Sequence, residues 1–107
     1  MEYCIINCTA GNKEEALKIS RELVKKKLIA CSNIIPSITS VYSWEGGINE
    51  DSEVLMLMKT KTALFDSVKE EILKLHSYEV PEIIAVPVIN GSESYIKWID
   101  ENTKAVM

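Results

Sequence analysis

The chain has 107 residues, room for one domain and not for a second independent core. Its 47% hydrophobic and 26% charged residues, with only 4 Gly and 3 Pro, are the balance of a packed soluble protein rather than a disordered or collagenous chain. Net charge is −4 and Arg21 is the only arginine, which argues against nucleic acid and polyanionic substrates, because phosphate recognition favours arginine-rich basic surfaces.

Met1-Glu2-Tyr3-Cys4 has no basic segment followed by a long apolar one, so a secretory signal is not expected. No apolar run approaches the ~18 residues of a membrane span, and no membrane association is expected. Cys4, Cys8 and Cys31 are odd in number and lack CxxC spacing, against both a disulfide framework and a thiolate zinc site. A reducing, cytoplasmic location is the expectation.

Tyr3 to Thr9 reads as a strand closed by Ala10-Gly11-Asn12. Asn12, with Glu15 three residues later, supplies an N-cap and a capping-box acid, so a helix should begin there. Ala16, Ile19, Leu23 and the stem of Lys27 fall on its inner stripe, widened by Leu17, Val24 and Leu28. From Ala30 to Gly46 the chain is β-rich, and Gly46-Gly47 predicts a hairpin turn into a strand from Ile48 to about Lys61. At ~3.3 Å per residue the first hairpin strand would extend roughly 50 Å, against a radius of gyration near ~13 Å for a domain of this size. The hairpin must bend back or project.

Thr62 can cap a second helix with Phe65, Val68, Ile72 and Leu75 inward and His76 at its end. Ile83 to Ile89 reads as a strand containing Pro87, Asn90-Gly91-Ser92 as a turn, and Tyr95, Trp98 and Ile99 as one side of a short third helix. The order is β-α-β-β-α-β plus a terminal helix, an α+β ferredoxin-like split β-α-β fold with an antiparallel sheet, in one domain spanning 1–107. Its sheet order, 4-1-3-2, puts Pro36 and Pro87 on the edge strands, where a missing amide is tolerable. Both alternating sets of Val54-Leu55-Met56-Leu57-Met58 are apolar, as in Ile83-Ile84-Ala85-Val86 and Cys4-Ile5-Ile6. Two helices cover one face only, so the other predicts self-association.

Leu28-Ile29-Ala30-Cys31-Ser32-Asn33-Ile34-Ile35-Pro36, Ser40-Val41-Tyr42-Ser43-Trp44-Glu45-Gly46, Glu53-Val54 with Lys59, and His76-Ser77-Tyr78-Glu79-Val80-Pro81-Glu82-Ile83 strongly resemble the CutA divalent-cation tolerance family. The likeness runs from about Cys4 to Trp98. It implies a ferredoxin-like subunit in a tight homotrimer whose long hairpins embrace neighbours, similar in architecture to PII signalling trimers. It also implies a part in tolerance of copper and other divalent cations.

Topology brings Cys8, His76, the hairpin tip and Glu82 to one end of the domain, a thiolate, imidazole and carboxylate set suited to Cu or Zn. The resemblance implies ligands at the Cys8 position and at two adjacent histidines closing the second helix; Cys8 and His76 match, and Leu75 replaces the other histidine. The competing reading makes Cys8 a small buried residue and His76 a cation against a helix C-terminal dipole. Tyr42, Trp44 and Tyr78 are either walls of an inter-subunit binding cleft or interface packing. Glu53 and Lys59 share a strand face and are expected to pair. Met56 and Met58 alternate with leucines and read as core.

No Ser-His-Asp arrangement, P-loop or second histidine is present, so an enzyme is not expected, nor is an organic cofactor. The expected function is a cytoplasmic trimeric metal-binding or metal-tolerance protein. The alternative is a PII-like module that binds a small effector or partner in inter-subunit clefts.

Overall fold

The computed structural model describes residues 1–106. Four strands and three helices follow one another as β1 (Tyr3–Ala10), α1 (Lys13–Lys25), β2 (Cys31–Trp44), β3 (Gly47–Lys61), α2 (Phe65–Leu75), β4 (Ile83–Pro87) and α3 (Glu93–Glu101). The sheet is antiparallel in every pairing, with order β2-β3-β1-β4. Pro36 and Pro87 therefore lie on edge strands, and the β2–β3 register shifts between Ile35 and Ile38, around Pro36.

Asn12 caps α1 as its sequence predicts, its side chain accepting from the Glu15 amide at 2.8 Å. The other end departs from expectation. Lys27 leaves the helical stripe and takes a positive φ of 58°, while Lys27 N–H bonds Val24 O and Leu28 N–H bonds Leu23 O, both at 3.0 Å. This closing pattern seats Leu28 against Leu23 and exposes Val24. Thr62 also differs: it opens a 3-10 turn, Thr62–Leu64, and provides no side-chain cap for α2.

Side chains alternate along a strand, so each strand divides between two faces. Cys4, Ile6, Cys8, Met56 and Met58 are buried against Ile19, Leu23, Val68 and Ile72 of α1 and α2. Each large apolar side chain buried there contributes roughly 1.5–3 kcal/mol. The second face carries Tyr3, Ile5, Leu55, Leu57, Lys61, Ile84 and Val86 by register. α3 crosses one end of it and covers more than the two-helix expectation allowed. Tyr3 Oη donates to Asp100 Oδ1 at 3.1 Å, and Ile99 is buried outside the main core cluster. Lys61, only 3% exposed, donates through Nζ to the Lys104 carbonyl at 2.7 Å and lies 3.7 Å from Asp100.

The turn of the hairpin is Glu45-Gly46, with φ of 50° and 79°, one residue before the expected Gly46-Gly47. Two positive φ values between paired Trp44 and Gly47 make the turn whose twist suits a two-residue hairpin, and Gly46 adopts its value without a Cβ penalty. Pairing of β3 with β1 ends at Val54 opposite Ala10, so residues 47–53 project beyond the sheet. The molecule accordingly measures 44 × 26 × 22 Å. β4 ends at Pro87, shorter than the expected run to Ile89.

Candidate functional site at the root of the hairpin

β1, the end of α2, the segment 76–82 and the first paired residues of β3 meet where the hairpin leaves the sheet. Tyr78 Oη donates to Glu53 Oε2 at 2.9 Å, which ties the segment after α2 to β3. Tyr42 donates to Asp51 across the hairpin. Burial, then the Glu53 bond, pushes Tyr78 up to about 12; the Asp51 bond, then burial, raises Tyr42.

His76 closes α2, its amide bonded to Ile72 O at 2.8 Å. The side chain is fully buried, and both ring nitrogens are engaged. Nε2 lies 2.6 Å from the Thr9 carbonyl, which can only accept, so Nε2 carries the proton. Nδ1 then accepts from the Tyr78 amide at 3.0 Å. Cys8 is also buried, and its thiol donates to the same Thr9 carbonyl at 3.7 Å. Burial, followed by the charges of Glu82, Glu15 and Glu53, pushes the Cys8 thiol up to about 12.

A metal would take a deprotonated cysteine sulfur and an open imidazole lone pair. Here the Cys8 thiol and His76 Nε2 both donate to the Thr9 carbonyl and His76 Nδ1 accepts from the Tyr78 amide, so the pair in one chain is not arranged as a copper or zinc chelate. Among the described residues no three His, Cys, Asp or Glu side chains gather in a metal-holding group. Leu75, in place of the second histidine, packs against the core.

Glu53 and Lys59 do not form the expected pair. Six residues of strand separate them by roughly 20 Å; Glu53 is taken by Tyr78, and Lys59 donates to Asn33 on β2. Glu82 is exposed and precedes β4 instead of opening it. The hairpin leaves the sheet at the end that holds Cys8 and His76, but Trp44 stands far out at its tip, 57% exposed, beyond residues 47–53 of β3.

Sequence reading missed Glu15, Asp51 and Lys61. Glu15 occupies the capping-box position, but its carboxylate accepts from the Ser77 amide at 2.7 Å and the Ser77 hydroxyl at 3.1 Å, binding the segment after α2 to α1. Burial would raise its pKa; the Ser77 bonds, with His76 and the Gly11 amide, outweigh this and hold it below the ordinary value. Lys61 shares the alternation of Lys59, and that parity was the available signal. A groove of about 560 Å³ lies at the other end of the sheet, beside Tyr3, Cys4, Val88 and Ile96, away from these residues.

A split β-α-β sheet with an overlong hairpin and its polar cluster at the hairpin root defines a small ferredoxin-like protein of a distinctive kind. The chain belongs to the CutA1 divalent ion tolerance protein family, whose model matches residues 4–102. It is 43% identical over 99 residues to the divalent-cation tolerance protein CutA of Thermus thermophilus, covering 92% of this chain and 96% of that one. The human protein CutA is 45% identical over 98 residues, again 92% of this chain, but the chain spans only 55% of that relative's length. The crystal structure of CutA1 from Oryza sativa superposes with a TM-score of 0.96 at 36% identity, covering 99% of this chain and 97% of that one. A structure of the protein described as the periplasmic divalent cation tolerance protein CutA from Archaeoglobus fulgidus gives 0.93 at 39% identity, with 95% and 99% covered. The relatives bearing a functional name are called tolerance proteins, not enzymes. Among the described residues no helix is long and apolar enough to cross a membrane.

Proposed function

We propose that the chain acts in divalent-cation tolerance as a cytoplasmic homotrimer, with the assembled protein as the functional unit. The part of the second sheet face that α3 leaves bare carries this reading. Ile35, Ile84 and Val86 are 39%, 55% and 43% exposed there, beside half-buried Ile5, Leu55 and Leu57. Contiguous apolar surface of this kind is normally covered in soluble proteins. The hairpin adds Val41, Trp44 and Ile48, exposed on an arm that its own domain does not reach. Further copies of the chain supply matching cover for both, and three is the number the family resemblance implies.

Tyr42, Trp44, Glu53, Tyr78 and Glu82 then border clefts between copies. The names of the relatives favour tolerance over a PII-like effector module. Copper and zinc are the cations of this reading, but it routes no step through Cys8 and His76, whose donors do not fit a chelate. Three free cysteines, two of them buried, suit a reducing compartment. Equilibrium dialysis of the assembled protein against zinc, copper and nucleotides tests the reading. Retention of a cation without nucleotide supports it; retention of nucleotide alone would replace it with the effector module.

A further inference from the structure

We propose that Cys8 and His76, the pair the family resemblance marks for a metal ion, hold no metal in this chain, and that His76 instead fastens Tyr78 against Glu53 at the hairpin root. The inference goes beyond the tolerance reading and does not depend on assembly. A ligand atom must aim a lone pair at its metal, whereas Cys8 Sγ and His76 Nε2 both aim hydrogens at the Thr9 carbonyl, at 3.7 and 2.6 Å. The remaining lone pair, at Nδ1, receives the Tyr78 amide at 3.0 Å.

A metal at Nδ1 would have to displace that amide, and the Tyr78 hydroxyl would leave Glu53 with it. A metal at Nε2 would strip the buried Thr9 carbonyl of its shorter partner, and an unsatisfied buried polar group is costly. The nearest carboxylate oxygen to Nδ1, Glu15 Oε2 at 3.9 Å, already accepts from Ser77 at 2.7 Å. The ring also lies against Tyr78, with centroids 4.7 Å apart. The connected path is therefore Thr9 carbonyl, His76 ring, Tyr78 amide, Tyr78 hydroxyl and Glu53. It joins β1 to β3 through the segment that follows α2, and Glu15 with Ser77 adds α1. The histidine matches the family pattern, but here its chemistry orients a neighbouring tyrosine.

His76 is the only histidine in the chain, so an imidazole nitrogen-15 correlation spectrum contains one residue. One protonated and one bare ring nitrogen are expected, unchanged by excess Zn(II) or Cu(I); movement of the ring signals on adding either metal would overturn the proposal. Calorimetric zinc titrations of the wild type and Cys8→Ala should superimpose, and weaker binding by the variant would count against it equally. His76→Phe keeps a ring and removes both bonds. Hydrogen-exchange protection of the Tyr78 amide should fall about tenfold in that variant, and unchanged protection would refute the fastening. The wild-type spectrum decides the question even where the variant does not fold. A metal-dependent shift would sink this inference and leave the trimer reading standing.

Discussion

The two faces of the sheet are built from the same strands and much the same residues, yet they meet opposite surroundings. Met56 and Met58 point under α1 and α2 and are fully buried, while their neighbours Leu55 and Leu57 point the other way and stay partly open. On β4, Ile83 packs on the core and Ile84, next along the chain, is 55% exposed. Apolar content alone does not decide which face is core; the covering element does. α1 and α2 bury the β1 and β3 side chains of one face, whereas α3 covers only the end of the other through Tyr3, Lys61 and Ile99. The remainder of that face is where the account places further copies.

Substitutions that match across the faces test this contrast. Met56→Ala should cost about 2–5 kcal/mol in denaturant unfolding, as expected for a large side chain lost from a packed core. Leu57→Asp should be worse if the second face is covered in the assembly, abolishing soluble folded protein instead of releasing stable monomers. A soluble, folded Leu57→Asp monomer would show that this face belongs to water. Trp44→Ala extends the comparison to the hairpin tip, exposed in the single chain but buried in the proposed trimer. Its loss should cost about 3 kcal/mol and appear first as dissociation, read by sedimentation over a dilution series.

Lys61→Met sharpens the role of α3. Its ammonium serves the Lys104 carbonyl from a buried position, so the variant should lose about 1–3 kcal/mol, with hydrogen exchange rising in α3 before the rest of the sheet. The smallest effect concerns acid. Glu15 has a depressed pKa in the folded state, so its contribution is present above the unfolded value near ~4.3 and is lost as pH falls through the lower folded value. Glu15→Gln should therefore be less stable than the wild type at neutral pH, by about 1 kcal/mol, with the gap closing in acid. Paired urea titrations at neutral and acidic pH measure it.

The element order, edge prolines and projecting hairpin were legible because each has a local cause: apolar period, a missing amide or strand length. The hairpin turn was misplaced by one residue because Glu45 accepts a positive φ beside Gly46, a choice that residue preference does not reveal. Leu28 was legible as apolar, but the reversal at Lys27 that buries it depends on two backbone bonds. At the site, chain order brought Cys8 and His76 together correctly. It could not show that both point hydrogens at Thr9, because hydrogen-bond direction is a property of the folded backbone. Glu53 with Lys59 failed for a different reason: six residues of extended strand hold them roughly 20 Å apart, so a shared face does not bring them together. Alternation put Lys61 on the face of Lys59, but nothing in the sequence showed that the end of α3 would bury it there.

The central claim, that the bare half of the second face is closed by other copies of the chain, is tested most directly by the mass of the protein in solution at micromolar concentration. Light scattering should give three times the mass of one chain, unchanged on moderate dilution. A mass of one chain, with Ile84, Val86 and Trp44 left to solvent, would contradict the account.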